Sequence, residues 1–205
     1  MGCRYPRQHG IAFNREKRMK TFAIVVLLAA MAVPASAAVI WNEGINGDLS
    51  SSEAAPTAIS FGVGTNQILG TVSGSPLDRD YITFTIAPGQ TLSHLNLIAF
   101  SPDNLAFCAF NSGSTSFIPS GATNGLFLSG IHIAGADVGS DMMPFFDTRN
   151  VTTNSLASPS LGPGTYCWMI QQTSPILQSY TVEFVIDGAL NTDAQTWGMI
   201  KNLYR

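Results

Sequence analysis

From Val39 to Ile186 the chain alternates short apolar runs with clusters of Gly, Pro, Ser, Asn and Asp. The runs at 38–41, 57–62, 67–72, 80–87, 92–100, 105–110, 126–133, 165–172 and 179–187 read as strands. Many short strands with turn signals at this spacing predict an all-β sandwich or barrel. Two runs alternate strictly. Ile82, Phe84 and Ile86 oppose Tyr81, Thr83 and Thr85, and Tyr180, Val182, Phe184 and Ile186 oppose Thr181, Glu183 and Asp187. Each strand therefore covers a core with one face and meets water or a partner with the other.

Turn chemistry separates the strands. Pro88-Gly89 suits the central positions of a type II turn, because proline presets φ and glycine accepts a positive φ; it predicts a hairpin of 80–87 with 92–100. Gly162-Pro163-Gly164 punctuates the chain before the Tyr166-Cys167-Trp168 strand. Residues 134–163 mix acids, small residues and an apolar "MMPFF", and read as a surface excursion long enough to be a candidate binding loop.

The two ends differ from the middle. Arg4, Arg7, Arg15, Lys17, Arg18 and Lys20 precede the apolar "TFAIVVLLAAMAV", Pro34 and a small-x-small "ASA". That order is a secretory signal peptide, too short to span a membrane comfortably, with cleavage expected after Ala37. Met19 would start a more ordinary leader, so residues 1–18 read as an over-extended start or a long leader. An uncleaved N-terminal anchor is the alternative. At the other end, residues 188–205 carry a capping-box spacing at Thr192 and Gln195, then Trp197, Ile200, Leu203 and Tyr204 on one helical face. They predict a short C-terminal helix that closes the sandwich or is displayed to a partner. The domain itself is expected at 38–187.

Removing the leader changes the charge. Four basic residues remain (Arg79, Arg149, Lys201, Arg205) against twelve acids, a net charge of −8. Such a surface repels nucleic acid and anionic lipid, and no basic stripe or phosphate-binding lysine loop is present. Cys108 and Cys167 remain as a pair, which in an oxidising compartment reads as a disulfide, with two buried thiols as the alternative.

Catalytic patterns are absent. There is no G-x-S-x-G, H-E-x-x-H or C-x-x-C, and the mature histidines are His94, expected on a solvent face, and His132. Asp137 follows His132 closely enough to suggest a base with an orienting carboxylate, though a surface histidine is the simpler reading. A small hydrolase with dispersed carboxylates and a structural surface component are the alternative functions. Calcium is the more plausible ligand: Glu43, Asp48 and Glu53 precede the first strands, and they reach Asp78 and Asp80 if the N-terminal segment packs beside that loop. The competing reading is that these acids shape turns and solubilise.

The succession "GDLSSSEAAPTAISFGVGTNQILGTVSGSPLDRDYITFTIAPGQTLSHLNL", followed by "LGPGTYCWMIQQTSPILQSYTVEFVI", resembles the bacterial pre-peptidase C-terminal-like domains, above all those of exported PEP-CTERM proteins. The shared features are an acidic lead, a D-x-D-Y/F-x-F-T strand, a P-x-G turn, a G-T-Y strand and a Y-x-L/V-x-F strand, over roughly residues 43–187. The resemblance implies an all-β, jelly-roll-like antiparallel β-sandwich without catalysis, exported to the cell envelope or beyond. Some relatives bind calcium through the acidic lead and the D-x-D loop, and some bind polysaccharide or protein. Asp78, Asp80 and Tyr81 match D-x-D-Y, and Glu43, Asn46 and Asp48 match the acidic lead. The ending "TWGMIKNLYR" departs from the Pro-Glu-Pro sorting tag of those relatives. Tyr81, Tyr166 and Trp168 are the candidate contacts for a polysaccharide or a cell-surface protein, on an exposed sheet face, with a core position the alternative for Tyr166 and Trp168.

Overall fold

A computed structural model of the chain describes residues 37–102, 105–114 and 127–188. The leader and the expected C-terminal helix lie outside these residues. One sheet runs β5 (Gln90–Ser101), β9 (Gln178–Gly188), β3 (Gly64–Gly74) and β1 (Ala38–Asn42), antiparallel except for the β1–β3 pair. The other runs β2 (Thr57–Ala58), β4 (Leu77–Ile86), β8 (Gly164–Gln172), β6 (Ala106–Ser112) and β7 (Ser129–Ile133). The two join where β3 meets β4, and these strands pair only at Ser73–Asp78 and Gly74–Leu77. Beyond that point each enters its own sheet, so the architecture is the expected antiparallel β-sandwich made from one curled sheet.

The alternation places the core as expected. Ile82, Phe84 and Ile86 of β4 and Tyr180, Val182, Phe184 and Ile186 of β9 are all buried in it, with Trp168 edge-on to Phe184 at 5.5 Å. The Pro88-Gly89 turn also forms: the Gln90 N–H donates to the Ala87 carbonyl at 3.0 Å, and Gly89 has φ 80°. The hairpin does not. β4 pairs with β8 and β5 with β9, so the turn carries the chain from one sheet to the facing one. Hairpin strands favour primed turns, whose twist matches their own; the turn predicted here belongs to an unprimed class that splays them.

Residues 134–163 run over the surface as expected, but they are anchored into the core rather than free of it. They contain a 3-10 turn (Gly135–Asp137) and a short helix α2 (Phe145–Thr148), and they bury Met142, Met143, Phe146, Leu156 and Leu161. The segment fastens to β5 through Gly139 N–H to Leu97 O, Met142 N–H to Leu95 O and a Leu92–Leu161 bridge, and to β7 through Val151 N–H to Gly130 O. It thereby covers two edge strands that would otherwise expose unpaired backbone. Arg149 locks it, with Nη1 donating to Asp137 at 2.6 Å and its guanidinium 4.3 Å over the Phe145 ring. Burial without strand or helix periodicity is why "MMPFF" reads as loop.

The disulfide expectation is also corrected. Cys108 lies opposite Ile170 and Cys167 opposite Asn111 on the paired strands β6 and β8. An odd offset along a strand reverses the face, so Cys108 points into the main core and Cys167 into a smaller cluster with Tyr81, Ala109 and Met169. Both thiols are free and buried. Under denaturant, thiol titration of the domain should count two free groups in the absence of reductant; a count of zero would contradict this register. Phe146→Ala should lower unfolding free energy by about 3–5 kcal/mol in denaturant titration, whereas a loss below about 1 kcal/mol would contradict the anchoring of 134–163.

Candidate metal centre

The site lies where β3 and β4 part. After β1 the chain makes a four-residue helix α1 (Glu43–Asn46), capped by the Asn42 side chain, which accepts from Gly44 N–H at 3.0 Å. Asn46 is absorbed in the same turn: its Oδ1 accepts from the Asn42 N–H at 2.8 Å. Gly47, at φ 89°, turns the chain out of α1 in a conformation that suits glycine, and its carbonyl accepts from the Trp41 indole at 3.1 Å. Glu43 is thereby held against the sheet. Its Oε1 accepts from Leu49 N–H (3.2 Å), and its Oε2 from Thr71 N–H (2.7 Å) and Thr71 Oγ1 (3.1 Å). Leu49 is buried in the core, and Ser50 O accepts from Tyr81 N–H at 3.0 Å, so the segment is fastened to both β3 and β4.

Asp80 shares the parity of Ile82 and Phe84 and points inward, with 0 % exposure. Its Oδ2 accepts from the Tyr180 hydroxyl at 2.6 Å. Its Oδ1 has no hydrogen-bond partner among the described residues. One carboxylate oxygen from each of Glu43, Asp48 and Asp80 lies within 4.8 Å of the other two. Asp78 stands beside them, accepting from Ser51 Oγ at 3.1 Å.

No basic side chain among the described residues pairs with these acids. The arginines among the described residues are committed elsewhere, Arg149 to Asp137 and Arg79 beside Tyr81. Burial pushes the Asp80 carboxyl up to about 9, with the nearby Glu43 charge adding to it and the Tyr180 hydrogen bond opposing it. Burial also raises Glu43, against its three hydrogen bonds, and raises Asp78, where the Asp48 charge adds. A site of this kind is neutralised by a proton or by a cation. The donors are all hard oxygens, and their spacing fits inside the roughly 5 Å that two oxygens on one calcium ion span at 2.3–2.6 Å each. Glu43, Asp48 and Asp80 therefore suit calcium.

The other candidates fare differently. Tyr81 and Trp168, at 2 % and 0 % exposure, present no contact face, and the half-buried Tyr166 packs on Phe84 with its hydroxyl donating to Gly162 O at 3.1 Å. Tyr81 does face away from the main core, but the smaller cluster buries it there. His132 and Asp137 do not form a base pair: Asp137 is held by Arg149, and the His132 ring lies edge-on to Phe107. His94 is exposed as expected and meets Asp141 at 2.8 Å. Missing from the sequence reading are Tyr180, Thr71 and Gly70. A tyrosine on a core-facing strand position was the available signal, since a buried hydroxyl needs a partner.

No protein-family model matches the chain, and no curated protein matches it. Among solved structures the chain is similar to PliG, a periplasmic inhibitor of g-type lysozyme, from Salmonella Typhimurium, at 13% identity and TM-score 0.33, covering 64% of this chain and 98% of that one. A mutant of the Escherichia coli inhibitor (19% identity, TM-score 0.32) and the Aeromonas hydrophila inhibitor (13%, 0.28) each cover 64% of this chain and 96% of their own. Likeness at this level says nothing of function.

The raised Asp80 value gives a signed pH dependence. Below about pH 4 the carboxyl is protonated folded and unfolded alike; between there and about 9 the folded state holds a proton that the unfolded state releases. Stability in chelator is therefore expected to fall as pH rises from 5 to 8. Asp80→Asn should flatten that slope and raise the melting temperature at pH 8. A melting temperature that climbs over this range, or a slope unchanged in the variant, would contradict the assignment.

Proposed function

We propose that this chain is an exported, non-catalytic β-sandwich module, related to the pre-peptidase C-terminal-like domains, that binds a protein at or beyond the cell envelope and is clasped by calcium. The observation that carries the reading is the buried Asp80 carboxylate, one oxygen unpartnered, within ligand distance of two acids from the segment that follows β1. Calcium there would bridge that segment to β4 and supply the neutralising charge. Its role is structural; the binding surface lies elsewhere.

A protein partner is favoured over a polysaccharide. Of the candidate aromatic contacts, Tyr81 and Trp168 are inside and Tyr166 is half-buried, whereas Leu77, at the start of β4, and Ile176 and Leu177, between β8 and β9, are exposed. The β3–β4 and β8–β9 connections meet where the Gly74 N–H, at the end of β3, donates to Ser174 O at 2.6 Å. Exposed aliphatic side chains on connections that meet suit a protein contact better than a hydroxyl-rich one. The export leader is consistent with such a role and with an oxidising compartment that leaves these buried thiols unreacted.

Thermal melting of residues 38–205 against calcium is the test. Wild type should gain stability, by about 2.7 kcal/mol at one hundred times the dissociation constant, and Asp80→Asn should gain none. An unchanged melting temperature at millimolar calcium would end the metal reading. The domain should not sediment with cellulose, chitin or peptidoglycan; retention on any of them would overturn the protein-partner reading.

A further inference from the structure

Tyr180 and Gly70 stand behind the acid cluster without belonging to it. They pair across β3 and β9, with Gly70 opposite Tyr180 in the register. A Cβ placed on Gly70 would lie 2.5 Å from the Tyr180 hydroxyl oxygen and 2.7 Å from the ring carbon that bears it. The phenol therefore lies flat over the glycine, in space that any side chain at position 70 would fill. From there its hydroxyl donates to Asp80 Oδ2, while the ring is held edge-on against Trp168 at 6.2 Å. Gly70 does not have a positive φ, so its lack of a side chain serves packing rather than a turn.

We propose that Tyr180 is a positioning residue for the cation site and Gly70 the vacancy that seats it: the phenol ties down one oxygen of Asp80 and leaves the other free for the ion. The inference rests on the calcium reading above. Its basis is the contrast within one carboxylate, one oxygen held by a buried neutral donor and the other, equally buried, with no partner. A hydrogen-bonded support behind a ligand fixes its direction, and loss of such a support weakens metal affinity by about 10- to 100-fold.

Tyr180→Phe keeps the ring and its packing and removes only the donor. Calcium titration calorimetry is expected to show a loss of about 10- to 100-fold in affinity, beside a lower melting temperature in chelator, because buried Asp80 loses its donor with or without the ion. Gly70→Ala should weaken calcium in the same direction by displacing the hydroxyl. A merely structural tyrosine would lower the melting temperature in chelator in the same way and leave the affinity alone. Wild-type binding with Tyr180→Phe within about two-fold of it would overturn the positioning role and leave the calcium site standing. No heat of calcium binding in wild type would overturn both.

Discussion

A carboxylate with no access to water is the constraint around which one side of this sandwich is arranged. Ionised Asp80 is too costly to bury alone, and the described residues offer it a single neutral donor, the Tyr180 hydroxyl. No lysine or arginine among the described residues stands in the cluster, and the nearest charges, Glu43, Asp48 and Asp78, have the same sign. The site must take up a positive species, whether proton or ion. Its position follows from the fold: β3 and β4 separate just past Ser73 and Asp78, and the gap they leave is filled from outside by Glu43 and Leu49.

The same separation explains why two connecting segments matter more than their lack of regular structure suggests. Residues 43–56 run from the edge strand β1 to β2 and close one side of the sandwich, with Glu43 bonded to β3 and Ser50 to β4. Residues 134–163 close the other, between β5 and β7, through Met142, Phe146 and Leu161 and the Asp137–Arg149 pair. The two closures differ in chemistry. One is apolar with a paired charge and stands on its own; the other gathers acids and depends on what neutralises them.

Strand positions and facing were legible because alternation reports burial directly. Ile82, Phe84, Ile86, Val182 and Phe184 face the core as their pattern requires. Strand partners were less legible, since pairing depends on which way a turn sends the chain. Pro88-Gly89 gave the turn correctly and the hairpin wrongly, and the Cys108–Cys167 pair fell to a face that sequence spacing does not show. Glu43, Asp48 and Asp80 were candidates because oxygen-rich loops suit a hard cation, and the structure brings them together. Tyr180 was read only as core, because periodicity registers the ring and ignores the hydroxyl. Tyr81 and Trp168 were candidate contacts, with a core position the alternative for Trp168, because aromatic residues on strands look alike whether a sheet face is open or covered.

The clasp is most directly tested by amide hydrogen exchange with and without calcium, read at Leu49 and Thr71, whose N–H groups donate to Glu43, and at Tyr81, whose N–H donates to Ser50. If an ion joins the segment after β1 to β4, calcium slows exchange at these three amides in wild type and leaves them unchanged in Asp80→Asn. Equal exchange with and without calcium in wild type would contradict the clasp.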